Sequence, residues 1–149
     1  MPRIVIDYDP PEARAPQLQG DSSDLVYFLS FAFSQRYGAT HDISIAALAL
    51  RGEFKINTAP LLLFADREIE EPGDADTLER AWQDALGLAE SCRAVAAAMG
   101  SDDRRMTVLR TDFPHLQDLV GQLGECAAWA ATGGLRIRVT YVLNDEGED

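Results

Sequence analysis

Asp7, Asp9, Asp66 and Asp112 each stand at or just past the end of an apolar run: Ile4-Val5-Ile6 leads into Asp7, Leu61 to Ala65 into Asp66, and Met106 to Thr111 into Asp112. A fourth run, Val139 to Leu143, leads towards Asp145. Carboxylates beyond strand ends can hold a hard divalent cation, and a pair at i and i+2, as Asp7 and Asp9 are, suits Mg²⁺ or Mn²⁺ completed by water and a phosphate oxygen. The four aspartates converge only if their three strands are parallel and adjacent. Aspartate is also a common helix cap and strand terminator, and Asp112 is placed to cap the helix that follows it.

Asp7-Tyr8-Asp9 after an apolar strand resembles the first motif of haloacid-dehalogenase-type phosphatases over about six residues. The resemblance stops at Pro10-Pro11, where that family continues with a small hydroxyl or apolar residue. Asp102-Asp103, the nominal counterpart of the family's later acidic pair, precedes an expected strand instead of following one, and the chain is assigned to no family on these residues.

Other reactive side chains lack a chemical context. His41 beside Asp42, and His115 between Asp112 and Asp118, have no nucleophile near them in sequence. Ser22, Ser23 and Ser91 lie outside any nucleophile-elbow pattern, and the lone lysine, Lys55, follows no phosphate-binding glycine loop. Cys92 and Cys126 form no CxxC pair and have no histidine at zinc-ligand spacing, so they read as small buried hydrophobes of a reducing compartment. The densest charged stretch is acidic: Asp66, Glu68, Glu70, Glu71, Asp74 and Asp76. It lacks the central glycine and alternating ligands of a calcium loop, and reads as a solvated surface that a basic partner could meet.

Charge points the same way. Asp and Glu number 25 against 13 Lys and Arg, a net charge of −12, which repels phosphate backbones and anionic lipid and leaves no basic stripe for nucleic acid. All the cations but Lys55 are arginines, which favour fixed carboxylate and aromatic contacts, so many are expected to be paired within the fold. The N-terminus enters a strand directly, and the longest apolar stretch, Leu25 to Phe33, is about half a membrane span. A cytoplasmic protein with no membrane or nucleic-acid partner is the expectation.

These residues must be positioned by one domain of 149 residues, a length at which roughly 68–70% of the unfolded chain's surface can be buried without disulfides or structural metal. The chain predicts a strand over 3–8, a proline-rich loop over 9–20, and a helix from Asp21 to Gly38 that carries Tyr27, Phe28, Phe31, Phe33 and Tyr37 around most of its circumference. Residues 42–51 read as a short helix in preference to a strand. Glu53–Ile56 and Leu61–Ala65 flank Asn57-Thr58-Ala59-Pro60 like the arms of a hairpin. One long helix is expected over 75–99, then a strand over 106–112, a helix from Asp112 that Gly133-Gly134 ends, and a last strand, 136–142, antiparallel or at an edge. The tail 144–149 is expected to fray.

The expected architecture is an α/β layered single domain, 1–149, bordering on α+β, with helices on a mixed sheet of about four or five strands. A ferredoxin-like arrangement with an added helix and strand is the alternative if 43–50 is a strand. The expected function is a non-catalytic interaction or regulatory module, an inhibitor or immunity-type protein being one form. It would need no cofactor, present Asp66, Glu68, Glu70, Glu71 and Asp74 to a basic protein, and form a homodimer through Tyr27 and Phe31. The alternative is a Mg²⁺- or Mn²⁺-dependent enzyme acting on a phosphate ester through Asp7, Asp9, Asp66 and Asp112.

Overall fold

The structure, a computed structural model, describes residues 2–31 and 42–143. The expectations for Phe33, Tyr37, Gly38 and His41, for the side chain of Phe31, and for the 144–149 tail lie outside them. The described residues form a four-stranded mixed sheet with helices, a mixed α/β arrangement. No described helix is long and apolar enough to cross a membrane.

β1 (Arg3–Asp9) alternates strictly, with Ile4, Ile6 and Tyr8 buried and the odd-numbered residues only partly so. A loop then leads to α1 (Ser23–Phe31), whose start is fixed by Asp21 accepting the Ser23 N–H at 2.9 Å. α2 (Asp42–Gly52) makes residues 43–50 helical, which removes the condition for the ferredoxin-like alternative. α3 (Ala59–Leu62), β2 (Phe64–Asp66), α4 (Asp74–Glu79), β3 (Gln83–Asp84), α5 (Ala85–Met99), α6 (Arg104–Asp112), α7 (Leu116–Thr132) and β4 (Arg136–Val142) follow.

β4 pairs with β1 antiparallel, with β2 parallel and with β3 antiparallel. It is antiparallel to β1 as expected, but it is the central strand, not an edge. Its polar residues mark one sheet face and not an outer position. The other face, Ile4, Ile6, Tyr8, Ile137 and Val139, joins α1, α2, α5, α6 and α7 in one core.

Among the described residues α5 and α7 share the most extensive helix–helix contact. Gly124 permits it, because a Cβ there would lie 2.9 Å from the Cys92 Cβ. Leu116, Leu119, Val120, Leu123, Ala127 and Ala130 of α7 are buried, as their spacing predicts. Gly133 caps the helix, and Gly134, at φ +72, turns the chain into β4.

Three expected elements differ. The hairpin is absent because Phe54 and Ile56 give their N–H groups to Ala49 and Leu50 at the end of α2, and Lys55 between them has φ 55, which breaks an extended strand. Pro60 instead sits in the first turn of α3, and β2 takes β4 as its partner. The long 75–99 helix is cut at Arg80, since Gln83 and Asp84 pair with Ile137 and Arg136. The stretch 106–112 is helix α6, whose N-cap Asp103 accepts from the Arg105 and Met106 N–H groups. Its apolar run had suggested a strand, but buried Met106 and Leu109 lie three apart, the spacing of one helical face.

Candidate functional site

The alternation of β1 puts Asp7 and Asp9 on the sheet face opposite the core, and the antiparallel register sets Arg138 across from Asp7 and Arg136 across from Asp9. Asp7 Oδ2 accepts from Arg138 Nε at 3.0 Å and Nη2 at 2.9 Å, and from Arg67 Nη1 at 2.8 Å. Arg67 Nη1 also donates to Thr140 Oγ1 at 2.9 Å, and that hydroxyl donates to the Val5 carbonyl at 2.6 Å. Three strands are thereby joined through one carboxylate. Asp9 Oδ2 accepts from Arg136 Nε at 3.2 Å and from its Nη2.

Trp82 lies against the same network. Its ring has the Arg138 guanidinium 4.5 Å from the centroid and that of Arg136 at 5.3 Å, a cation–π stack that the break between α4 and β3 makes possible. Arg138 Nη1 further donates to the Leu78 carbonyl at 3.2 Å. Beside this stack is a cleft of about 470 Å³ lined by Asp7, Pro11, Glu12, Gln17, Trp82 and Arg138. Guanidinium groups oppose a cation at Asp7 and Asp9, and the oxygens they hold are spent on structure.

The four aspartates proposed as metal ligands do not converge. Asp9 stands opposite Arg136 and Asp66 opposite Tyr141, five residues further along β4, which is roughly 17 Å at ~3.4 Å per residue. The antiparallel β1 and parallel β2 therefore carry these carboxylates to opposite ends of the sheet. Asp112 ends α6 and belongs to no strand. Among the described residues no group of three or more His, Cys, Asp or Glu side chains could hold a metal ion.

The acidic residues after β2 do come together, as a built loop. Arg67 N–H continues the strand pairing to the Tyr141 carbonyl at 3.0 Å while its side chain turns back to Asp7. Asp66 Oδ1 accepts the Glu68 N–H at 2.9 Å, and Asp74 Oδ2 accepts those of Glu70 and Glu71, both at 2.9 Å. The two backbone donors hold the Asp74 carboxyl below the usual carboxylate range. Burial, and then the neighbouring Asp66 charge, pushes the Tyr141 phenol up. Glu68, Glu70 and Glu71 are exposed, with no ion-pair partner among the described residues. Ile69 at their centre is 58% exposed.

The remaining candidates have structural surroundings. Cys92 and Cys126 are free and buried, and burial pushes the Cys92 thiol up to about 12, far from a nucleophilic thiolate. Ser91 donates its hydroxyl to the Asn57 carbonyl. His115 occupies the N-cap position of α7 and gives its backbone N–H to Asp24 Oδ2 at 3.2 Å. Tyr27 on α1 is 39% exposed.

Sequence reasoning passed over Arg67, Trp82, Gln17 and Ile69. The arginine excess signalled ion pairs, the Arg136/Arg138 alternation read only as a solvated strand face, and nothing local signalled Trp82, which reads as part of a helical stripe. No protein-family model matches the chain, and comparison with curated proteins and with solved structures gave no match.

Proposed function

We propose that this chain is a non-catalytic interaction module that docks a basic protein on the loop from Asp66 to Asp74 and self-associates through the part of α1 that carries Tyr27 and Phe31. The docking reading rests on one contrast. Asp7 and Asp9 are already matched by arginines, whereas Glu68, Glu70 and Glu71 face solvent unmatched on a backbone held by Asp66 and Asp74. A pre-shaped loop loses little entropy on binding, and Ile69 supplies an apolar anchor within a charged rim. An inhibitor that neutralises a basic partner is one concrete form of this activity. The exposure of Tyr27 supports the self-association reading.

Titration with an oligoarginine peptide at low salt tests the docking face. Glu68→Gln/Glu70→Gln/Glu71→Gln should weaken binding by about tenfold or more and flatten its salt dependence. A control that neutralises Glu90, Asp102 and Glu125, exposed positions elsewhere, should do much less. Equal losses from the two triple variants would mean that the peptide reads bulk charge, and the docking face would be discarded.

A further inference from the structure

Among the described residues β1 has a strand partner on one side only, in the order β1-β4-β2. Such an edge offers backbone donors and acceptors to any extended segment that reaches it. Here three of the outward groups are already engaged, and by side chains. Ile4 N–H donates to Ser22 Oγ at 2.8 Å. Ile6 is engaged on both its groups: its N–H donates to Gln17 Oε1 at 2.9 Å, and its carbonyl accepts from Gln17 Nε2 at 2.7 Å. A primary amide carries one acceptor and one donor side by side, so Gln17 takes the place of one residue of a neighbouring antiparallel strand. The loop that carries it cannot pair as a strand along its length, because Pro10, Pro11 and Pro16 have no N–H to give.

We propose that the outer edge of β1 is a strand-pairing surface that the chain closes on itself with Gln17, and that the strand it accepts once Gln17 lets go is β1 of a second copy, antiparallel and centred on Ile6. The register argues for this occupant. A twofold axis at Ile6 sets Ile6 against Ile6 and Ile4 against Tyr8, the residues whose backbone groups face outward, so hydrogen-bonded pairs fall where donors and acceptors already point. On the face away from the core the same register sets Arg3 against Asp9 and Val5 against Asp7, with no like charges directly opposed. The arriving strand displaces Gln17 and the loop around it. Net charge of −12 opposes the pairing and salt relieves it. The inference does not depend on the acidic loop or on Tyr27.

Gln17→Met keeps the length of the side chain and removes both hydrogen bonds at an exposed position, which spares the fold. Two readouts follow. Amide exchange at Ile6, followed by NMR in dilute protein, should quicken by about tenfold or more. In about 0.15 M salt, where charges further apart than the Debye length of about 8 Å are largely screened but directly opposed carboxylates are not, the light-scattering mass at high concentration should reach at least twice that of wild type. Adding Val5→Asp sets a second carboxylate against Asp7 of the other copy and should return the mass to the wild-type value. Unchanged Ile6 exchange overturns the closure by Gln17. A folded Gln17→Met variant with wild-type mass, or a doubled mass that Val5→Asp leaves intact, overturns the second copy as occupant.

Discussion

Arg138 shows how a single side chain can be consumed by architecture: its Nε and Nη2 hold Asp7, its Nη1 holds the Leu78 carbonyl, and its flat face lies over Trp82. A planar, fixed fork of donors makes all of these contacts together, which a lysine ammonium in its place could not. Arg105 does comparable work at the start of α6, joining Asp103 at 2.7 Å and also reaching Glu53. That arginine beside it, with the backbone N–H groups it caps, holds the Asp103 carboxyl down to about 2. A folded value below the ordinary 3.8 means that the unfolded chain binds more protons between the two, so the stability Asp103 contributes is complete above about pH 4 and disappears as pH falls towards 2. Asp103→Asn should therefore flatten the acid limb of stability against pH, measured by urea denaturation from pH 2 to pH 6. An unchanged acid limb would show that other carboxylates control it. Pairing of arginines was legible from composition, but which carboxylate meets which arginine was not, since Asp7 and Arg138 are 131 residues apart in the chain.

At the level of elements, patterns of three and four marked the helical stretches that hold α5 and α7, the apolar run to Asp7 marked β1, and the alternation of Arg136, Arg138 and Thr140 with Ile137, Val139 and Tyr141 marked β4. Short apolar runs misled. Met106 to Leu109 fits a strand or a helix by composition, and the cap at Asp103 decides it. Trp82 fitted the stripe of a continuous helix, yet its ring goes to two sheet arginines and the helix breaks around it. The α5–α7 contact is the tightest joint, with the missing Cβ of Gly124 facing Cys92 at 2.9 Å. Gly124→Ala should overpack that joint and cost about 1–3 kcal/mol despite the better helix propensity of alanine, read as a lowered denaturation midpoint. A stabilised variant would mean that the helices separate at little cost.

For the whole molecule, the open question is what covers α1, where Tyr27 is 39% exposed although the neighbouring Leu25, Val26 and Phe28 are buried. Tyr27→Glu places a charge on a side chain that the folded monomer already shows to solvent. Under self-association through α1, light scattering at tens of micromolar should give a wild-type mass of two subunits and a folded Tyr27→Glu variant of one. A wild-type mass of one subunit removes that reading. The sequence by itself determined the mixed layered class, the burial of both cysteines and the acidity of the 66–74 loop, and it favoured a helix over a strand for 42–51, which the structure makes α2. These follow from local periodicity, turn chemistry and composition, which the chain carries residue by residue. Tertiary structure alone decided that β4 is central, that β1 and β2 run in opposite directions, and that Asp9 and Asp66 end far apart. Strand order and direction are set by which nonlocal pairings bury the most apolar surface with every backbone group satisfied, and no short window of sequence contains that competition.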